Sequence, residues 1–256
     1  MILVLIPSHF EAKTFLEGIV DAKKSQVGGA DVAQGKIGEM AVAVGVIGMG
    51  MPHAAIRAKA VMESVQGRDG SPSRPLTPRR GVPTVIENSG VILAGFAGAL
   101  HPDLKRGDVF VTAGANFLLP HLPEAERPRE AKLATVEKIA GSAAAKQELF
   151  ERTGAWLCDM EQAHVAAVAQ ELGLPFIGIR IVSDEAHEDL PADTLSRSYD
   201  QETGTYTPWK LAGHLTRNPF RTVPLAAFVR LLPPIRTRMS ERLHTWLRLT
   251  GPRLFE

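Results

Sequence analysis

One block of this chain constrains its fold more than any other. Asp159-Met160-Glu161 is followed by a stretch of helical apolar period, a Gly173-Leu174-Pro175 stop and a mostly apolar run over 176–182, which ends at Ser183-Asp184. Val165, Val168, Ala169 and Leu172 fall at i, i+3, i+4 and i+7, which predicts a helix over Gln162–Glu171. The apolar run predicts a strand buried on both faces, the signature of a mostly parallel sheet covered by helices. Ligands of such sheets bind beyond the carboxyl ends of the strands. The block therefore predicts two carboxylates, Glu161 and Asp184, at the rim of one crevice. Two carboxylates in different environments can hold a polar substrate and protonate a leaving group.

The rest of the chain repeats the alternation. Residues 2–6 form an apolar run ended by Pro7, which predicts a first buried strand, with Glu11 in the turn beyond its carboxyl end. Strands are predicted over 32–37 and 40–47, then Gly48-Met49-Gly50-Met51-Pro52 and a helix over His53–Val65. Glycines between a strand and a helix allow close backbone approach to a ligand. Residues 67–83, rich in Arg, Pro, Gly and Ser, predict a surface loop. A strand over 91–94 is predicted to run into a Gly95-Phe96-Ala97-Gly98-Ala99 turn, with another strand over Val109–Ala113. Residues 116–132, with three prolines and three acids, predict a surface excursion; a strand over 132–136 and a helix over 142–153 follow. Alternating strands and helices predict an α/β protein with helices on both faces of the sheet.

Composition narrows the class. The chain has 256 residues, 45% hydrophobic and 22% charged, as in an ordinary globular domain. No run reaches the roughly 18 apolar residues that a bilayer-crossing helix needs. Cys158 is the single cysteine, so no internal disulfide can form and a reducing, cytoplasmic setting is expected. The eight histidines show no ligand spacing with Cys or carboxylates, so no metal is expected. The net charge of +1 conceals an asymmetry: residues 206–256 hold nine Lys/Arg against two acids, a net of +7, and the remainder carries −6. A catalytic body over 1–200 and a basic helical extension over 201–256 are therefore expected. An excess of basic residues only in the tail and one loop, with two tyrosines and three tryptophans, disfavours nucleic-acid binding.

Taken singly, each candidate residue is ordinary. An Asp after a strand is often a helix cap, and Met160 is as well explained by core packing. Their joint order is more specific. Gly48-Met49-Gly50-Met51-Pro52, residues 93–100, Asp103-Leu104-Lys105-Arg106-Gly107-Asp108, Asp159-Met160-Glu161 and residues 179–184 together resemble the purine nucleoside phosphorylase and nucleosidase superfamily. The resemblance covers about residues 1–195. It implies an α/β fold with three layers, in which a central mixed, partly barrel-like sheet is flanked by helices. It also implies cleavage of the N-glycosidic bond of a purine nucleoside, no cofactor, and a homo-oligomer.

The resemblance assigns roles by position. Asp184, beside Ser183, is implied as the acid that protonates the departing purine. Glu161 is implied on the ribose hydroxyls with Met160 packed against the sugar. Gly95, Phe96, Ala97 and Gly98 are implied near the base and nucleophile, and Ile139 near the base; no stacking aromatic is evident there. Phosphorylases of the family carry Arg where Leu93 stands, and both subgroups carry Ser where Phe96 stands. Losing both favours water as nucleophile, with Glu11 as the base, over phosphorolysis. The expected substrate is an adenine nucleoside such as methylthioadenosine, S-adenosylhomocysteine or another 5′-substituted adenosine.

The tail, from Trp209 to Leu247, is apolar, interrupted by prolines and interspersed with arginines. It predicts two or three helices packed on the body or a subunit partner, or a basic amphipathic surface that docks on anionic lipid. It also resembles a hopanoid-associated branch of the superfamily, whose members release adenine from adenosylhopane. A non-catalytic nucleotide-binding module is the alternative of another class.

Overall fold

The computed structural model describes residues 1–50, 52–67, 90–200, 205–206 and 222–255. The loop predicted over 67–83 lies outside them except for Gly67, as does most of the first part of the tail. The elements that matter for the site are β1 (Ile2–Ile6), α1 (His9–Glu17), β2 (Val20–Val27), β3 (Ala30–Ile37), β4 (Met40–Val46), α2 (His53–Val65) and β5 (Gly90–Ala99). They continue with β6 (Val109–Ala113), α3 (Ala115–Leu118), β7 (Arg129–Glu130), β8 (Leu133–Thr135), α4 (Ala143–Thr153), β9 (Leu157–Asp159) and α5 (Gln162–Glu171). The last are β10 (Phe176–Asp184), α6 (Ala192–Ser198), the two short strands β11 (Tyr199–Asp200) and β12 (Thr205–Tyr206), and α7 (Thr222–Thr250).

Ten strands form one mixed sheet in the order β2-β3-β4-β1-β5-β10-β6-β7, with β9 and β8 branching from β5. The centre is parallel: β1 pairs with β4 and β5, and β5 with β10. Because side chains alternate across a strand, these buried strands feed two cores. Ile2, Val4 and Ile6 face α1 and α7, whereas Leu3 and Leu5 face α2 and α5. The result is the expected α/β arrangement, a mixed sheet between two layers of helices.

Strand β5 changes neighbour along its length. Residues up to Leu93 pair with β1, and Gly98 and Ala99 pair with β9. The sheet thus parts along this edge of β5, and the side chains of the site enter the parting.

Four local expectations are corrected. The 95–99 segment is not a turn: β5 continues straight through both glycines. A Cβ at residue 95 would meet Pro7 Cδ at 3.0 Å and Glu11 Oε1 at 3.1 Å, and one at residue 98 would meet Asp184 Oδ2 at 3.1 Å. These glycines therefore serve close approach within a strand. Glu11 does not lie in a turn but in the first turn of α1, whose cap is Ser8; Ser8-x-x-Glu11 is a capping box. Strand β2 escapes sequence reading because VDAKKSQV is polar and lies on the sheet edge, exposed almost throughout. Finally, part of the tail predicted as two or three helices, 209–221, lies outside the described residues, and in the described part the prolines do not end a helix. α7 is one 29-residue helix that passes through Pro233 and Pro234. Its apolar face (Leu232, Ile235, Met239, Leu243, Trp246, Leu247) is buried in the core beside α1, which offsets the backbone hydrogen bonds that the prolines forgo. No helix among the described residues is long and apolar enough to cross a membrane.

Candidate active site

A cavity of about 680 Å³ opens where β5 parts from β1. Glu11, Phe96, Ala97, Gly98, Ile139, Met160, Glu161, Ser183 and Asp184 all line it. Gly95 does not reach the wall; it lies behind Glu11, where its missing side chain makes room for that carboxylate.

Glu11 is 4% exposed and held at both oxygens. The Phe96 backbone N–H donates to Oε1 at 2.7 Å, and the Ser8 hydroxyl donates to Oε2 at 2.6 Å. The Phe96 N–H is available because this part of β5 has lost β1 as a partner. Burial raises the Glu11 carboxyl above its ordinary range, against the lowering effect of these hydrogen bonds. A carboxylate raised in this way is a better base than one in water.

Glu161 sits between β9 and α5. Its Oε1 accepts a 2.7 Å hydrogen bond from the backbone of Gly50, in the turn after β4. Burial, with the nearby charge of Asp159, pushes the Glu161 carboxyl up to about 8. Asp159 is itself fixed by a fully buried ion pair. Arg180 Nη2 lies 2.6 Å from Asp159 Oδ2, while Arg180 Nη1 donates to the carbonyls of Leu93 and Ile179 at 2.9 Å each. The Thr135 hydroxyl and the Gln162 N–H also donate to Asp159. Asp159 thus ties β8, β9, β10 and the start of α5 together, and Glu161 is carried two residues along that frame.

Asp184 closes β10 at a register irregularity between Val182 and Asp184. The Ser183 hydroxyl donates to its Oδ1 at 2.6 Å, and Lys146 Nζ lies 2.6 Å from its Oδ2. Cys158 is buried on β9 beside it, its thiol pushed up to about 12 by burial and then by the Asp184 charge.

The apolar part of the wall includes residues that sequence reading did not single out. Phe10 packs edge-on against Phe96 with ring centroids 6.3 Å apart. Phe228 and Leu232 reach the cavity from α7, so the tail contributes to the site. Arg236 of the same helix stacks over the Phe10 ring at 4.7 Å and donates to Thr14. A sequence signal existed for Phe10 in its capping-box neighbourhood. None existed for Phe228, which lies 218 positions further along the chain and joins Phe10 in the cavity wall only through tertiary packing. Among the described residues no group of three or more His, Cys, Asp or Glu is arranged to hold a metal ion.

The model of the phosphorylase superfamily matches residues 1–121 and 123–204, and the chain belongs to that superfamily. No curated protein sequence matches it. Solved structures with the same fold include the 5′-methylthioadenosine/S-adenosyl homocysteine nucleosidase of Campylobacter jejuni (16% identity, 96% of this chain and 97% of that one, TM-score 0.65). The native futalosine hydrolase of Helicobacter pylori is similar at 18% identity, 96% and 97% coverage and a TM-score of 0.64. So is the Helicobacter pylori 5′-methylthioadenosine/S-adenosylhomocysteine nucleosidase with butyl-thio-DADMe-Immucillin-A, at 17% identity, 96% and 97% coverage and a TM-score of 0.63.

Proposed function

We propose that this protein is a nucleosidase that releases a purine base, adenine in the first instance, from a 5′-substituted nucleoside, with water as the nucleophile. One observation carries the choice of water. Among the described residues, the cavity wall has six carboxylates (Glu11, Glu137, Asp159, Glu161, Asp184, Asp193) and a single cation, Lys138. A phosphate dianion calls for arginines or helix N-termini, whereas this wall suits a neutral, polyhydroxylated substrate whose sugar becomes cationic. Leu93, where a phosphorylase would place Arg, is wholly buried in the core.

In this proposal Glu161 accepts from the ribose hydroxyls and, in its ionised form, stabilises the oxocarbenium-like sugar. Met160 and Ile139 pack against sugar and base, and Phe96, Ala97 and Gly98 frame the reacting carbon. The bond between C1′ and the base nitrogen breaks with its electron pair moving into the base, and Asp184 gives a proton to a ring nitrogen. Glu11 takes a proton from water as the new C1′–O bond forms. The wall of Phe10, Phe228 and Leu232 is assigned to the 5′ substituent, which is therefore apolar in part. Structural neighbours support this reading: two of them are nucleosidases by name, one in complex with a nucleoside analogue.

Incubation with a panel of 5′-substituted adenosines, with and without phosphate, tests it. Free base and free sugar are expected in both conditions. Strict dependence on phosphate with formation of a sugar 1-phosphate would show phosphorolysis instead.

A further inference from the structure

Ser8 is buried and lines the cavity at the start of α1. Its hydroxyl makes two hydrogen bonds. The oxygen accepts from the Glu11 N–H at 3.2 Å, which is all that capping a helix requires. The proton goes to Glu11 Oε2 at 2.6 Å, within the roughly 2.5–2.7 Å range of a hydroxyl donating to an ionised carboxylate. Aspartate would cap the helix equally well but has no such proton to give. Glu11 has two further donors, the backbone N–H groups of Phe96, at 2.7 Å, and of Ser8. An ionised carboxylate has about four acceptor sites, so these donors leave one open. Burial by itself favours the neutral acid, and a neutral Glu11 cannot take a proton from water.

We propose that Ser8 is a positioning residue for the hydrolysis, whose hydroxyl keeps Glu11 in the ionised form that accepts the proton of the attacking water. The proposal rests on the nucleosidase reading, in which Glu11 is the base. No bond to Ser8 forms or breaks. Water gives its proton to the open site of Glu11 as the C1′–O bond forms, and the Ser8 proton stays on its own oxygen throughout. Because that proton is committed to Glu11, Ser8 borders the cavity without offering the substrate a donor, and it works through Glu11.

Burial raises the Glu11 carboxyl, and of the groups that hold it down the Ser8 hydroxyl acts most strongly. The other neighbours leave it that role. On β10, Arg180 also holds Glu11 down, but its guanidinium is bound to Asp159 of β9. At the β9–α5 junction Glu161 carries a like charge, which opposes ionisation of both carboxyls. Within α1, His9 is paired with Asp31, and Lys13 and Glu17 are exposed. From α7, Arg236 donates to Thr14 and lies over the Phe10 ring, while His244 packs on Phe15.

The test is Ser8→Gly, which removes the hydroxyl at little cost to the helix cap and leaves both backbone donors to hold the carboxylate. The Glu11 carboxyl carbon, identified by NMR as the signal missing from Glu11→Gln, is expected to titrate about one pH unit higher in the variant than in wild type. A midpoint that stays in place or falls overturns the proposal. That midpoint needs no turnover, so it decides the role of Ser8 separately from the nucleosidase reading, which wild-type base release decides. The second readout is kcat. Relative to wild type, the variant should lose about tenfold at the acid end of the pH profile and recover to within about twofold at the alkaline end, with KM little changed. A loss that is equal at both ends shows a merely structural role and overturns the proposal. Should Ser8→Gly fail to fold, Ser8→Ala lacks the same hydroxyl on a stiffer backbone and is read in the same way.

Discussion

The backbone N–H of Gly50 donates to Glu161 Oε1 at 2.7 Å, across 111 positions of sequence. The turn after β4 thereby holds the carboxylate that the β9–α5 junction delivers. Gly50 can present its N–H there because its φ is +73°, in the left-handed region that costs a residue with a Cβ about 1–2 kcal/mol. Gly50→Ala is expected to lower stability by about 1 kcal/mol and to raise KM for a nucleoside several-fold by releasing Glu161. Denaturant unfolding and steady-state kinetics measure the two effects, and an unchanged KM would remove Gly50 from the site.

Glu161→Gln should separate function from stability. The native carboxyl keeps its proton up to about 8, while the unfolded chain releases it near 4.5. Between these values the native state binds more protons, so this group's contribution to stability falls as pH rises. The variant should therefore be more stable than wild type at pH 9, on the order of 2 kcal/mol, with the gain vanishing toward pH 4.5, and should lose base release. Thermal unfolding across that pH range is the measurement; a gain that does not vary with pH would contradict the buried, raised carboxyl.

Glu11→Gln and Asp184→Asn each remove a proton-transfer group while keeping shape. Each is expected to lower kcat for base release by about 10²–10⁴-fold. Chromatographic detection of free base reads this directly. Retention of near wild-type kcat by either variant would strike that residue from the mechanism.

Arg180→Met tests the frame under Glu161. It leaves Asp159 buried beside Glu161 without its cation, and a broken buried pair costs about 3–5 kcal/mol. A loss below about 1 kcal/mol in equilibrium unfolding would mean that Asp159 finds water or another partner in the native state.

Phe228→Ala tests whether α7 belongs to the site. Shortening this side chain opens the apolar wall while most of the α7 core contacts remain. KM for adenosines with apolar 5′ groups should rise about tenfold, or about 1.4 kcal/mol, with a smaller change for adenosine itself. Equal effects on both would place Phe228 away from the 5′ group.

Local periodicity carries information only about the faces of single elements. The apolar runs of 2–6, 40–47 and 176–182 and the 3.6-residue period of 162–171 therefore marked the buried strands and a helix of the central sheet, and the order of Asp159, Glu161 and Asp184 along them marked one sheet edge. Polar β2 had no such period, and the glycines at 95 and 98 read as a turn because a strand with small residues looks the same as a loop until its neighbours are known. The sequence by itself determined the α/β layering and the family. Tertiary structure alone decided which groups meet. The Phe96 N–H reaches Glu11 only because β5 changes neighbours, Phe228 reaches the cavity only because α7 lies against α1, and Lys146 reaches Asp184 only because α4 packs against β9 and the segment that follows β10. Burial then sets the protonation of these groups, and burial is a property of the assembled fold, not of any residue's place in the chain.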